Sequence, residues 1–322
     1  MRTPSSPPSR EAGIALIAAL WLVVLLTVVA SGFAYSMRGE ALAARNALSL
    51  AQARAAADGA VERTAFELSR PRNIADVWLA DGVAHVWQDG ETRLTVSAVD
   101  ESARIDINAA PPPLLKGLMQ NVGGLDADTA QHVVEAIEDW RDADDLRRPN
   151  GAEIDDYKAA GRKYGPANAP FSAVGELQRV LGVTPGLMAR IVDALTVYSW
   201  QPAINPATAS RDVLLALPNM TPEIVDAYIA QRTDALANKL PPPPLPQAAG
   251  FAVGAAPVWR IHAEATMADG VTFVRDAVLR PSADPRRPLI ALLWQEGARA
   301  PLPEPGATNG NAAPPTDERS TR

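Results

Sequence analysis

The chain has 322 residues, 47% of them hydrophobic, and carries 37 acidic against 30 basic side chains, which gives a formal net charge of −7. It contains no cysteine and only three histidines, which excludes disulfides, thiolate nucleophiles and cysteine-ligated metals and disfavours a histidine-rich site. The acidic balance also argues against a dominant nucleic-acid role, because phosphate binding needs a positive face.

An uncharged apolar segment lies near the N-terminus. No charged residue occurs in residues 12–37, and a helix over 14–37 is long enough to cross a hydrocarbon core of about 30 Å. A cleaved secretory signal is the alternative, but this apolar run is long for one and continues into an Ala-, Leu- and Glu-rich stretch. We therefore predict a transmembrane helix over 14–37 that continues as one helix to residue 69.

Strand signals occur in two separate parts of the chain. They combine β-branched residues with apolar/polar alternation, and Asp-Gly turn dipeptides separate several of them. The predicted strands are 77–80, 84–88, 93–99, 258–266, 271–279 and 289–294. Because isolated strands and hairpins are marginal, we expect the early and late strands to form one antiparallel sheet. The fold class predicted is α+β, with the residues between the two groups as an insertion.

The insertion, residues 100–235, is predicted to be all-α. The candidate helices are 113–120, 126–140, 173–181, 185–195, 210–216 and 222–232. Two of them start with a Thr-Pro pair, a favourable N-cap followed by proline at the first helical position. A proline-rich linker is expected over 236–249, and residues 300–322 are expected to be disordered because they have little to bury.

Acidic residues are concentrated after the second of these helices. Glu135, Glu138, Asp139 and Asp142 fall on one helix face, and further acids follow at the helix end, where the macrodipole disfavours anions. A hard divalent cation would offset that repulsion, and calcium is the natural candidate because it accepts many oxygen ligands from a loop. The alternative is a set of solvated acids balanced by arginines at 141, 147 and 148. A catalytic carboxylate pair is a third interpretation, which lacks partner residues.

Several motifs together resemble a known family. Arg10-Glu11-Ala12-Gly13 before an apolar helix resembles a type IV prepilin-like leader, and DWRDAD at 139–144 with NGAE at 150–153 is similar to the K-type minor pseudopilins of type II secretion systems. The resemblance implies cleavage between Gly13 and Ile14, with N-methylation of Ile14. Most pseudopilins carry Glu at mature position five, which is Ala18 here, and the K type lacks that Glu.

The resemblance also implies a fold and a role. It implies a leader at 1–13, a pilin-like domain at 38–99 and 250–299, and a non-catalytic subunit at the pseudopilus tip that initiates or caps assembly for export across the outer membrane. Its implied partners are the I- and J-type minor pseudopilins, the prepilin peptidase and the inner-membrane assembly platform. The implied location is the inner membrane, single-pass, with the C-terminal domain in the periplasm. The implied cofactor is calcium, and the candidate region contains Asp139, Asp142, Asp144, Asp145, Glu153 and Asp156.

The alternative function is a membrane-anchored helix-hairpin-helix DNA-binding protein of a DNA-uptake system. Residues 105–110 and 203–209 form a partial internal repeat, in which an Ile-Asn pair leads into small residues and an apolar helix. Such modules bring hairpin N–H groups and a nearby Lys or Arg to a phosphate. The hairpin at 218–221 lacks glycine, and neither it nor 181–184 has an adjacent Lys. No nucleic-acid partner is therefore expected.

Overall fold

A computed structural model describes residues 11–70, 78–238, 240–245, 250–251 and 257–298. It begins with one helix, α1 (Glu11–Ser69), which is 59 residues long and spans about 90 Å at 1.5 Å per residue. The apolar N-terminal part of α1 is not buried in the fold, so by length and composition it can cross a membrane. This confirms the predicted continuous helix. Most of the leader and the tail lie outside the described residues.

Five antiparallel strands form the main sheet: β1 His85–Asp89, β2 Thr92–Asp100, β5 Trp259–Thr266, β6 Thr272–Pro281 and β7 Leu289–Glu296. Their order in the sheet is β1-β2-β5-β6-β7. Strands β2 and β5 pair although they are far apart in sequence, in a register that runs from Arg93 with Thr266 to Asp100 with Trp259. The early and late strands therefore share one sheet, which confirms the α+β class. The strand predicted at 77–80 is wrong in its described part, since Asp81 makes only an isolated bridge to Val99.

The core of the sheet domain lies between the sheet and the C-terminal half of α1. Helix residues Ala53, Ala57, Ala60, Val61 and Ala65 are buried against alternate residues of β2, β5 and β6. Small side chains at this spacing form one stripe, so the helix backbone can approach the sheet closely. Ser49 donates to Asp269 in the β5–β6 turn at 2.5 Å, and Leu68 lies at the opposite end of the sheet beside Trp259. The end of the sheet that carries the β5–β6 turn is therefore nearer the membrane segment than the end at which β2 finishes.

The insertion consists of short helices with its own core. Its elements are β3 Ile105–Asp106, α2 Pro112–Gly117, α3 Ala127–Arg141, α4 Ile154–Ala159, α5 Pro185–Ile191, β4 Leu195–Thr196, α6 Arg211–Leu215 and α7 Pro222–Ala237. Strands β3 and β4 pair in parallel as a separate two-stranded sheet. The Thr184 and Thr221 side chains accept from backbone N–H groups three residues on, as the predicted N-caps require.

Several predicted elements of the insertion differ from the structure. The predicted helix 113–120 continues after Gly117 as a π-helical turn, Leu118–Val122, and 173–181 is a 3-10 helix, Val174–Arg179. The C-terminal residue of the predicted helix 185–195 belongs to β4. Helix α7 continues to Ala237, into the predicted linker, and Leu245 of that linker is buried in the insertion core. Tertiary packing decides these ends, because short helices gain little from propensity.

Candidate functional site

The acidic region lies where α3 ends and a loop leads to α4. Glu135, Glu138 and Asp139 lie on the last turns of α3, and Asp142 is the residue that follows the helix. Asp139 is fully buried. A buried carboxylate must be neutralised or hydrogen-bonded, because burial of an unpaired charge is costly. The partners of these side chains therefore define what the region can do.

Arg148 lies among three of the carboxylates. Its Nη1 is 2.7 Å from Asp139 Oδ1 and 2.5 Å from Asp142 Oδ2, and its Nε is 3.3 Å from Glu138 Oε2. Arg147 adds a longer pair with Asp156, at 3.3 Å. The arginine-balanced interpretation of the acids thus describes part of the region, as one guanidinium offsets the repulsion between neighbouring acids.

The NGAE loop is folded onto α3 by two carboxylates. Glu135 accepts hydrogen bonds from the backbone N–H of Asn150 at 2.6 Å and from its side chain at 3.0 Å. Asp139 Oδ2 accepts from the N–H of Ala152 at 2.9 Å. A Cβ at Gly151 would lie 1.9 Å from Asp139 Oδ2, so only glycine lets the loop approach this closely. Glu135 and Asp139 therefore have a structural role in the region.

Four oxygen atoms in the region are buried and have no hydrogen-bond partner among the described residues: both carboxylate oxygens of Glu153, Oδ1 of Asp142 and Oδ1 of Asn168. Burial, together with the like charges of Asp139, Asp142, Asp145 and Asp144, raises the pKa of Glu153 to about 7. A buried acceptor without a donor is costly, so these atoms call for a proton, a water or a cation. Their chemistry fits a hard cation, since carboxylate and amide oxygens are its usual ligands.

The six predicted metal residues are not equivalent in the structure. Asp139, Asp142 and Glu153 are buried or half-buried, whereas Asp144 and Asp145 are exposed. Asp144 accepts from the N–H of Leu146, Asp145 accepts from Asn168, and Asp156 accepts from the N–H of Glu153 at 2.9 Å. In the described part of the chain, no three carboxylate or imidazole side chains meet as a ready-made metal site. The ligand set stays a prediction.

Trp140 anchors the acidic region to the insertion core. Its ring is fully buried, stacked on Phe171 at 6.0 Å between centroids and tilted against Tyr157 at 5.9 Å. Arg179 lies over the same indole at 5.2 Å. Because Trp140 lies near the end of α3 and Tyr157 belongs to α4, their contact joins the two ends of the acidic loop.

A second polar cluster, for which no role was predicted from sequence, joins the sheet to the insertion. Glu101 is fully buried directly after β2; it accepts from Arg260 of β5 at 2.5 Å and from the hydroxyl of Thr196 of β4. Asp100 accepts from Ser102 at 2.6 Å and from the Asn205 side chain at 2.8 Å. Three successive polar residues at the end of an apolar strand were the only sequence signal for this junction.

The predicted processing site lies at the start of α1. Gly13 and Ile14 belong to the first turns of the helix, and Ile14 is 72% exposed. The residues before Glu11 lie outside the described part of the chain. Cleavage and methylation at this bond therefore stay predictions.

Comparisons with known proteins agree on one family. Residues 92–200 match the family model described as type II secretion system (T2SS), protein K, a range that contains Glu101 and the whole acidic region. Among similar proteins, the type II secretion system protein K of Pectobacterium carotovorum subsp. carotovorum is 28% identical over 250 residues, which cover 70% of this chain and 76% of the relative. The protein K of Klebsiella pneumoniae is 29% identical over 234 residues, which cover 64% of this chain and 70% of the relative.

A solved structure has the same fold. A chain of the GspK-GspI-GspJ complex from the type 2 secretion system of enterotoxigenic Escherichia coli matches with a TM-score of 0.55 at 17% identity, over 82% of this chain and 99% of that one. At this identity the match shows the fold alone, and the sequence matches show which proteins the chain is similar to. Part of the chain matches the protein K family model, and most of it is similar to curated proteins named type II secretion system protein K.

Proposed function

We propose that the chain is a non-catalytic structural subunit at the tip of the type II secretion pseudopilus, where it initiates or caps assembly with the I- and J-type minor pseudopilins. The observation that carries this proposal is the position of the insertion. It follows β2 at Asp100, at the end of the sheet where Leu68 and Ser69 of α1 lie, away from the membrane segment. A globular domain at that end of a helical subunit obstructs the addition of another subunit beyond it.

The fixed attachment of the insertion supports a capping role. The Glu101 contacts with Arg260 and Thr196 cross from the main sheet to β4 of the insertion. Buried charge-assisted hydrogen bonds of this kind hold two elements in one geometry. The solved relative was crystallised as a GspK-GspI-GspJ complex, which supports partners of the same two types for this chain.

Processing and location follow from the same proposal. The prepilin peptidase would cut between Gly13 and Ile14 and methylate Ile14, and the helix over 14–37 would hold the chain in the inner membrane with its C-terminal domain in the periplasm. Assembly would then take place on the inner-membrane platform. Mass spectrometry of the mature N-terminus tests this directly. A methylated Ile14 is expected, and an intact or differently cut N-terminus would overturn the processing step.

Two measurements test the tip role. The full chain, purified in detergent, is mixed with its I- and J-type partners and analysed by size exclusion with light scattering. One copy of each subunit per complex is expected; no complex, or several copies of this chain in one, would contradict the proposal. Immunogold labelling of assembled pseudopili should then mark one end only. Labels along the shaft would show an ordinary shaft subunit.

We further propose that the acidic region binds calcium. Asp142 and Glu153, with their unpartnered buried oxygens, and Asp139 would hold the ion, with Asp144, Asp145 and Asp156 nearby. A bound calcium ion supplies positive charge that neutralises the carboxylates. Asp139 Oδ1 and Asp142 Oδ2 pair with Arg148, so the oxygens left to the ion are first those of Glu153 and Oδ1 of Asp142.

Thermal melting of the full chain with and without calcium tests this proposal. An ion that binds only the folded state raises the melting midpoint by mass action. Glu153→Gln should abolish that rise, whereas Asp155→Asn should retain it, because the Asp155 side chain is 90% exposed. A midpoint unaffected by millimolar calcium in the unsubstituted chain would remove the claim.

A further inference from the structure

Strand β7 forms one edge of the main sheet. In the sheet order β1-β2-β5-β6-β7, it pairs with β6 on its inner side. Among the described residues, no strand pairs with its outer side. The residues at 289–294, LIALLW, include no charged residue and no proline. An edge of this composition presents a row of unpaired N–H and C=O groups beside apolar side chains.

Most protein edges are protected by charges or proline, and β7 has little of either. Ile290 is 37% exposed and Trp294 is 38% exposed. The Trp294 ring is held by the guanidinium of Arg275, 5.4 Å from its centroid. A register shift of β7 opposite Val278 and Leu279 protects part of the edge. β7 is therefore an ordered apolar edge with the chemistry of a strand-acceptor site.

The chain's own C-terminal sequence is poorly suited to occupy this edge. Residues 299–322, which lie outside the described residues, contain prolines at 301, 303, 305, 314 and 315. Proline cannot donate to a strand ladder. The longest stretch between these prolines, 306–313, is GATNGNAA, which is composed of weak strand formers.

A second copy of the chain is also a poor occupant. Antiparallel pairing of two β7 strands in one continuous sheet needs a two-fold axis normal to the sheet. Because α1 lies against the sheet face, that axis would reverse one α1, and the two membrane segments could not enter one membrane from the same side. Parallel pairing in register would place Arg287 beside Arg287 and Glu296 beside Glu296, which is unfavourable.

We propose that the outer edge of β7 accepts an extended strand of a different protein. Exposed Arg286 and Arg287 precede β7, and exposed Glu296 ends it. An antiparallel strand would begin beside Glu296 and end beside the two arginines. The strand that fits is apolar at alternate positions, basic at its start and acidic at its end. This inference does not depend on the tip location, because it concerns an edge of the sheet domain.

Hydrogen exchange on the full chain in detergent tests the proposal, with the synthetic peptide KVTVTVTE as the probe. The peptide should slow exchange of β7 amides by about tenfold or more and leave those of β1, the other edge, unchanged. The same peptide with alternate amides N-methylated should have no effect, because it cannot complete the ladder. Equal protection by both peptides, or none by either, would overturn the proposal.

Matched variants separate edge pairing from loss of folding. Ile290→Lys places a charge on the β7 edge and should remove the protection, whereas Val86→Lys on β1, where Val86 is 53% exposed, should retain it. Both variants should melt within a few degrees of the unsubstituted chain, since both positions are surface positions. Protection of β7 that rises with protein concentration without peptide would identify a second copy as the occupant and contradict the inference.

Discussion

Arg260 on β5 donates to Glu101, which follows β2, at 2.5 Å, although 159 residues separate the two in sequence. Glu101 is fully buried and the Arg260 side chain is 31% exposed. The pair therefore joins the segment that enters the insertion to the strand that follows it. A buried ion pair of this kind adds little net stability over an apolar pair, but removal of one partner leaves an uncompensated charge.

Glu101→Gln should therefore lower the free energy of unfolding by about 3 kcal/mol, because the Arg260 guanidinium would lose its charged partner in a largely buried site. Asp226→Asn is the control, since it breaks the Arg211–Asp226 pair, whose side chains are 47% and 57% exposed. That change should cost less than about 1 kcal/mol. Urea unfolding of the detergent-solubilised chain measures both. Equal effects would show that the Glu101 pair has no special role.

The regular parts of the sheet domain could be predicted from sequence, because their signals are local. Helix α1 is a long apolar run continued by good helix formers, and strands β5 and β6 alternate on either side of a turn dipeptide. The structure places all three within three residues of the predicted bounds. Strands β3 and β4 have only two residues each and could not be found. Their backbone pairing depends on the packed helices around them, and the periodicity of the sequence carries no signal for that pairing.

The acidic region was identified from sequence, but its interior was not. The pattern of charges located Asp139 and Glu153, whereas the choice of Arg148 as the partner of Asp139 and the contact of Asn150 with Glu135 depend on how the loop folds back. Local spacing gives the face of a helix on which a charge lies. Local spacing does not identify the counter-charge that a loop brings to that face.

The contact between α1 and the sheet depends on one further ion pair. Arg275 of β6 is 3% exposed, and its Nε lies 2.6 Å from Asp58 of α1. Asp58→Ala should destabilise the chain by about 2–4 kcal/mol, because the buried guanidinium loses its partner. The double variant Asp58→Ala with Arg275→Met should be more stable than Asp58→Ala alone. A double-mutant cycle measures the coupling, and strictly additive effects would show that the two groups do not interact.

Close packing between α2 and α6 depends on Gly117. A Cβ at this position would lie 2.0 Å from the carbonyl oxygen of Ala216, a backbone atom that cannot move aside alone. Gly117→Ala should cost about 1–3 kcal/mol through overpacking. Gly175→Ala is the matched control, because nothing lies within 4 Å of its added Cβ. Thermal melting should separate the two variants, and an unchanged midpoint for Gly117→Ala would contradict the close contact.

The acidic region predicts a dependence of stability on pH that calcium should reverse. Burial and neighbouring carboxylates raise the pKa of Glu153 from 4.5 to about 7, so the folded chain binds this proton more tightly than the unfolded chain. Without calcium, the stability contributed by this group should fall as pH rises from about 4.5 to about 7 and stay lower above that. Glu153→Gln should flatten this part of the profile, because glutamine does not titrate.

Saturating calcium should invert the slope of this pH profile, since the ion binds the ionised carboxylate and competes with the proton. Melting midpoints at pH 5, 6, 7 and 8, with calcium or a chelator, measure the difference in stability between the unsubstituted chain and Glu153→Gln. A difference that does not change with pH would show that Glu153 titrates normally and would remove the main reason to place the ion beside it.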